Sequence, residues 1–286
     1  MRKEINAFKK YKESGVAPSL NLIAIFSISF VVMFILTFIY SLLITFIPII
    51  YFNIVLVVGF GYVVAYCSRY LNIFFKIRNR IISIALTGII AVSAIYLQWV
   101  FYLYIISGDN INPIDDISII IDLIINPSLF LDILIELNHF GAWEIGSSTI
   151  NGSALWFIWL GEALIILLTS LKIYSQFDIK PFSEKDNEWY KAKKVFFDFE
   201  YIHLRQTFLE SFYVNPAEAL ASLEKGNGTR QSNVYIFSSK NKSFFLISIE
   251  NSIVNSKGRK EFSEVLEPCY LDRNHLTTIK EKFAVK

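Results

Sequence analysis

Apolar residues along the first part of the chain gather into long runs separated by short polar connections. Leu22 to Ile44, Ile49 to Tyr70, Ile81 to Ile106 and Ala154 to Ile173 are nearly uninterrupted. Each is long enough to cross a hydrocarbon core about 30 Å thick, which takes roughly 20 helical residues. The pattern predicts four transmembrane helices. A fifth run, Ser118 to Leu137, carries Asp122, Asp132 and Glu136 and is cut by Asn126 and Pro127. It reads as two amphipathic helices lying at the membrane surface, residues 115–125 and 128–138, with Asp132 and Glu136 four apart on one face. The HFGAWEIGSSTINGS segment that follows has the Gly, Ser and Asn content of an irregular stretch.

Past Ile173 the apolar positions become periodic instead of continuous. Tyr201, Leu204, Phe208 and Phe212 recur at helical spacing, and Asn215, Pro216 and Glu218 supply an N-cap, an N1 proline and an N3 acid for a second helix that Gly226 ends. Phe245, Ile247, Ile249 and Ile253 alternate as one face of a strand, between a strand at Val234–Phe237 and another over Phe262–Tyr270. A helix over residues 274–283 closes the chain. The fold class expected is a polytopic α-helical membrane protein with a small α+β C-terminal domain. Its divisions are a basic N-terminal segment over residues 1–19, a membrane domain over 20–173 and a soluble domain over 174–286.

Composition agrees: 54% of the 286 residues are hydrophobic and only 18% are charged. The net charge of +2 points to no polyanionic partner by itself, but the charges are segregated. Arg2, Lys3, Lys9, Lys10 and Lys12 precede the first run, and Arg69, Lys76, Arg78 and Arg80 surround the connection between the second and third. Residues 81–171 contain no Lys or Arg, while the 107–152 connection holds Asp109, Asp115, Asp116, Asp122, Asp132, Glu136 and Glu144. By the positive-inside rule the acidic connection faces out and both termini face the cytoplasm. The expected location is a cell membrane, the inner membrane of a bacterium, with the first span retained as a signal anchor. Aromatic residues such as Tyr51, Phe52, Trp99 and Trp156 fall near the outer ends of the runs. Gly61 with Ala65, and Ser83 with Thr87 and Ala91, form small-residue stripes for close helix packing.

No phosphate-loop, HExxH, GxSxG or CxxC signature is present, so the expectation is a protein that is not an enzyme and needs no cofactor. Cys67 and Cys269 fall on opposite sides of the division and form no disulfide framework. The lone Glu136–His139 ExxH is a polar turn, since a di-iron site needs further carboxylates. Two features carry chemistry. Glu162 lies inside WFIWLGEALIILL, where a charge costs about 2.5–3.5 kcal/mol and must face protein or water. Thr169 shares its helix face, and Gln98 or Tyr96, or Tyr62 and Tyr66, are the expected partners. Three roles stand open for the acid: fixing helix register, lining an ion path, or coupling a proton.

The second feature is in the soluble domain. If the strands pair in sequence, Lys257, Arg259 and Lys260 lie at the same end as Arg230, forming a basic, glycine-rich rim. Cationic side chains and free backbone amides there would hold a phosphate-bearing small ligand or an oligonucleotide, or the residues simply solvate two turns. The PFSEKDNEWY linker, residues 181–190, would transmit a change. The functional expectation is a homo-oligomeric, ligand-regulated channel or membrane-perturbing effector of the kind used in bacterial defence. The alternative is a non-conducting interaction protein, an immunity or assembly factor, that docks a cytoplasmic partner.

Overall fold

The structure, a computed structural model, describes residues 8–47, 50–107, 113–145, 148–178, 180–194, 198–242 and 244–283. Arg2, Lys3 and Asp109, and the side chains of Asp115, Asp116 and Glu144, lie outside the described residues. The chain forms two units: Gly15–Asp178, and the N-terminal segment through Ser14 together with the chain after Asp178.

The first unit contains α1 (Ser19–Phe46), α2 (Ile50–Phe74), α3 (Arg80–Ser107), α4 (Pro113–Ile125), α5 (Pro127–Phe140), a small hairpin of β1 (Trp143–Ile145) and β2 (Ser148–Ile150), and α6 (Gly152–Ser175). The helices α1, α2, α3 and α6 are long and apolar enough to span a membrane. The helices α4 and α5 meet at 102° across Asn126. Pro127 opens α5, where its missing N–H costs no helical bond, and its ring disfavours a helical Asn126, so one run becomes two helices.

Packing in this unit sets α1 chiefly against α3 and α2 chiefly against α6. Lipid-matched side chains such as Leu20, Ile23, Phe26, Tyr51, Ile81 and Phe157 are turned outward. Buried positions mix Ile25, Val64, Leu97 and Ile166 with the small residues Ala65, Ser83, Thr87 and Ala91. The predicted stripes therefore lie inside the bundle. At Gly61 an added Cβ would stand 2.8 Å from Thr169 Cβ and 3.1 Å from the Ile166 carbonyl, so only a glycine lets α2 come this close to α6.

The second unit contains β3 (Phe182–Ser183), β4 (Glu188–Trp189), β5 (Lys191–Lys194), β6 (Phe199–Glu200), α7 (Arg205–Val214), α8 (Pro216–Ala221), β7 (Arg230–Ser238), β8 (Phe245–Val254), β9 (Lys260–Leu271) and α9 (Arg273–Phe283). The antiparallel sheet runs β5-β7-β8-β9, with β6 pairing farther along β7. The core is Phe199, Phe212, Leu220, Val234, Ile247, Ile249, Val265 and Leu276, all at most a few per cent exposed. The Asn215 side chain accepts from Glu218 N at 3.3 Å, the expected cap of α8, although that helix ends at Ala221, short of Gly226.

The hairpins β1–β2 and β3–β4 and the strands β5 and β6 were not expected. The strand β5 is the sequence KAKK with all four side chains exposed, an edge strand whose lysines blunt an open edge and hide the usual alternation. Residues 8–11 of the N-terminal segment do not stand apart either. Phe8 N donates to Tyr270 O at 2.9 Å, Tyr11 N to Pro268 O at 2.8 Å, and Tyr270 N to Lys9 O at 2.9 Å, so residues 8–11 pair along the end of β9. Lys10 also forms an ion pair with Glu267. The linker at 181–190 is the β3–β4 hairpin, closed by Phe182 and Trp189 with ring centroids 5.0 Å apart in an edge-to-face contact.

Candidate functional site: a carboxylate among the spans and a rim on the sheet

Glu162 sits on α6 about 15 Å from the helix start at 1.5 Å per residue, deep within the span. Its partner comes from α1: the Tyr40 hydroxyl donates to Glu162 Oε1 at 2.8 Å. The Tyr40 ring is stacked on Phe60 of α2, with centroids 4.3 Å apart and planes 14° apart. Next to it, Ser41 Oγ donates to the backbone carbonyl of Gln98 on α3 at 2.9 Å. One layer of the bundle therefore joins all four long helices through Tyr40, Ser41, Phe60, Gln98 and Glu162. Among the described residues no cation pairs with the carboxylate.

The expected partners of Glu162 are corrected by this geometry. Tyr96 turns to α4, its hydroxyl donating to Leu123 O at 2.7 Å, and Tyr62 and Tyr66 are exposed. Gln98 is 2% exposed, yet its Oε1 has no hydrogen-bond partner among the described residues, and the same holds for Asn53 Oδ1 on α2. Thr169 is seven residues from Glu162, about 10 Å along the helix axis, and packs at Gly61 instead of joining the acid. Sequence reasoning missed Tyr40, because a tyrosine in the C-terminal half of an apolar span has no pattern separating it from the interfacial tyrosines. The one available signal was generic: a buried carboxylate requires a donor, and every tyrosine in the spans is one.

The basic rim forms where strand order requires. Arg230 is paired with Ile253, and Val254 with Lys260, so Arg230 and the 255–259 turn occupy one end of the sheet. The amides expected to be free are occupied, however. Asn227 Oδ1 accepts from Thr229 N at 3.1 Å and Arg230 N at 2.9 Å, and Asn255 Oδ1 accepts from Lys257 N and Arg259 N, each at 3.0 Å. Asparagine side chains organise both turns by taking those four donors. The Arg230 guanidinium lies 5.2 Å from the Tyr201 ring centroid.

No protein-family model, no curated protein and no solved structure matches this chain.

Proposed function

We propose that the chain is a ligand-regulated membrane channel or membrane-perturbing effector, assembled from several copies, whose soluble unit lies on the cytoplasmic side of a bacterial inner membrane. The observation that carries this reading is the pairing of residues 8–11 with β9. The segment leading into α1 and the chain leaving α6 belong to one folded unit, which supports placing both on the same side of the membrane with an even number of crossings. That supports four spans with α4 and α5 as a surface pair, and the segregation of Lys and Arg favours the cytoplasm for the shared side. A domain continuous in sequence with both the entry and the exit of a membrane bundle would bias that bundle when a ligand shifts its own equilibrium. Inside the bundle, a carboxylate with one neutral donor, together with Gln98 Oε1 and Asn53 Oδ1, offers acceptor oxygens to a proton or cation.

Ion efflux from proteoliposomes tests the reading. Wild-type protein is expected to release a trapped cation, and Glu162→Gln, which keeps an acceptor for Tyr40 but removes the charge, is expected to reduce the flux at least about tenfold while leaving assembly intact. One observation favours a second reading, a non-conducting interaction protein: Glu162 is already bonded within its own chain, as a register-fixing residue would be. Silent proteoliposomes with wild-type protein, together with a Glu162→Gln variant that assembles less well, would select that reading.

A further inference from the structure

Away from the rim, the soluble unit has a cleft of about 210 Å³ lined by Tyr11, Lys12, Phe182, Lys185, Phe244 and Tyr270, among others. The volume lies below the ~300 Å³ at which drug-sized ligand sites begin, which fits a base and sugar with a charged group left at the mouth. The walls are aromatic. Tyr11 and Tyr270 have centroids 6.4 Å apart, and Phe244 stands at 77° to Tyr270 with centroids 6.1 Å apart, so two ring faces meet at an angle along one side. Such faces receive a planar ring by stacking or edge contact.

The polar complement is placed at the mouth. Lys12 and Lys185 are both exposed, and Lys12 forms no ion pair among the described residues. Lys185 Nζ lies 5.3 Å from the Phe244 centroid, so the cation is held against the same ring that lines the wall. Ser14 adds a hydroxyl group, the Ser183 hydroxyl being bonded to Asp186, and the buried phenol of Tyr190 lines the cleft. Glu184 also lines the cleft. A carboxylate opposes a bare phosphate but accepts hydrogen bonds from ribose hydroxyls or an exocyclic amine. Two lysines, one acid and angled aromatic walls together suit a ligand with both a phosphate and a nitrogenous ring better than an isolated anion.

We propose that this cleft binds a mononucleotide, its base against Phe244 and Tyr270 and its phosphate between Lys12 and Lys185. The consequence for regulation rests on the channel reading; the binding itself does not. Residues 11–14 run toward α1 and residues 182–190 follow α6, and Tyr11 already joins the two, its hydroxyl accepting from Phe182 N at 2.9 Å. An occupant clamps the same two segments.

Calorimetric titration of the full-length protein in detergent tests the site with AMP, GMP, CMP and UMP, and with adenosine, ribose 5-phosphate, glycerol 3-phosphate and inorganic phosphate. At least one mononucleotide is expected to bind saturably, about tenfold or more tighter than either its phosphate-free or its ring-free counterpart. The Lys12→Ala/Lys185→Ala double variant and, separately, Phe244→Leu should each weaken it about tenfold. Arg230→Ala/Lys257→Ala should not. Three results would overturn the assignment: no mononucleotide binds; glycerol 3-phosphate or inorganic phosphate binds as well as the nucleotides, marking a lipid-headgroup or free-phosphate site; or the rim variant loses binding while the cleft variants keep it. Nucleotide binding with no ion flux under any condition would sink the channel reading and leave the site standing.

Discussion

The two units answer the same requirement, burying what the surroundings reject, in opposite ways. In the soluble unit the buried set is dominated by Phe199, Phe212, Leu246, Ile247 and Ile249. Among its buried polar groups Ser232 and Asn251 form a network, Ser232 Oγ with Asn251 Oδ1 at 2.5 Å and Asn251 Nδ2 with the Ile202 carbonyl at 2.9 Å. In the membrane unit many large apolar side chains face outward, and the interior mixes Ile25, Met33, Leu97 and Ile166 with Ser29, Thr37, Ser41, Thr87 and Ser170. Several of these satisfy themselves on their own helix, as Thr37 does on Met33 O at 2.6 Å and Ser170 on Ile166 O at 2.7 Å. Because lipid tails are as apolar as leucine, helices in a bilayer gain little from apolar contact and depend on close approach and a few interhelical bonds. Stability is spread across the soluble core and concentrated at particular points in the bundle.

The largest expected effect follows from the spread core. Phe212 is fully buried and meets Phe8 edge-on with centroids 5.7 Å apart and Phe208 at 5.8 Å. Phe212→Ala should cost about 3–5 kcal/mol, a large share of the roughly 5–15 kcal/mol that holds a domain folded. Hydrogen exchange on the intact protein should show protection lost across β7, β8 and β9 and retained in α1, α2, α3 and α6. Loss in both units together would break the comparison, because the two would then fold as one.

A smaller and more local effect is expected in the bundle. Gly61→Ala places a methyl 2.8 Å from Thr169 Cβ with the Ile166 backbone behind it, an overpacking worth about 1–3 kcal/mol. Gly59→Ala, two residues earlier on the same helix, meets nothing within 4 Å and should leave stability unchanged or slightly raised. Unfolding titrations in mixed micelles separate the two. Equal effects would mean that α2 and α6 are held by bulk apolar contact and not at one point of approach.

These points of approach also explain how far the residues alone could lead. The four long helices were legible because a run of about 20 apolar residues has few other readings, and the Asn126–Pro127 break announced the α4–α5 bend. Phe245, Ile247 and Ile249 alternated plainly enough to fix the central strand. The strand β5 was illegible because KAKK has no buried face, and the docking of residues 8–11 on β9 because backbone pairing across more than 250 residues leaves no local pattern. At the carboxylate, Glu162 was visible as an exception to its surroundings, whereas Tyr40 was not, since a donor among many tyrosines is selected only by the packing of α1 against its neighbours. Strand order put Arg230 and the 255–259 turn at one end of the sheet, yet the amides of Thr229, Arg230, Lys257 and Arg259 were committed by Asn227 and Asn255, whose side chains could equally have faced solvent. The aromatic cleft needed Tyr11, Lys185 and Tyr270 to meet from three distant stretches, and nothing in their spacing joins them.

The smallest expected effect sharpens the comparison from the soluble side, where a polar group is bound instead of self-satisfied. The Tyr235 hydroxyl donates to Glu250 Oε1 at 3.0 Å, and burial, reinforced by that carboxylate, pushes its ionisation up from 10.0 to about 12. An unfolded chain releases this proton near pH 10, whereas the folded chain keeps it until near pH 12. Between those values the unfolded state binds fewer protons, so stability conferred by the neutral hydroxyl is complete below pH 10 and is lost as pH rises through the window. Tyr235→Phe removes the hydrogen bond, costing roughly 0.5–1.5 kcal/mol at neutral pH, and removes this contribution to alkaline loss. Denaturation of the full-length protein at pH 8, 10 and 11 should therefore show a variant that is less stable at pH 8 and declines less steeply above pH 10. The decline should be shallower but not absent, because burial also raises Tyr190 and Cys269 to about 12, and both ionise on the same side of neutrality. A variant whose alkaline decline matched the wild type would mean that Tyr235 already ionises freely, and that its bond to Glu250 holds the sheet no more firmly than a contact with water.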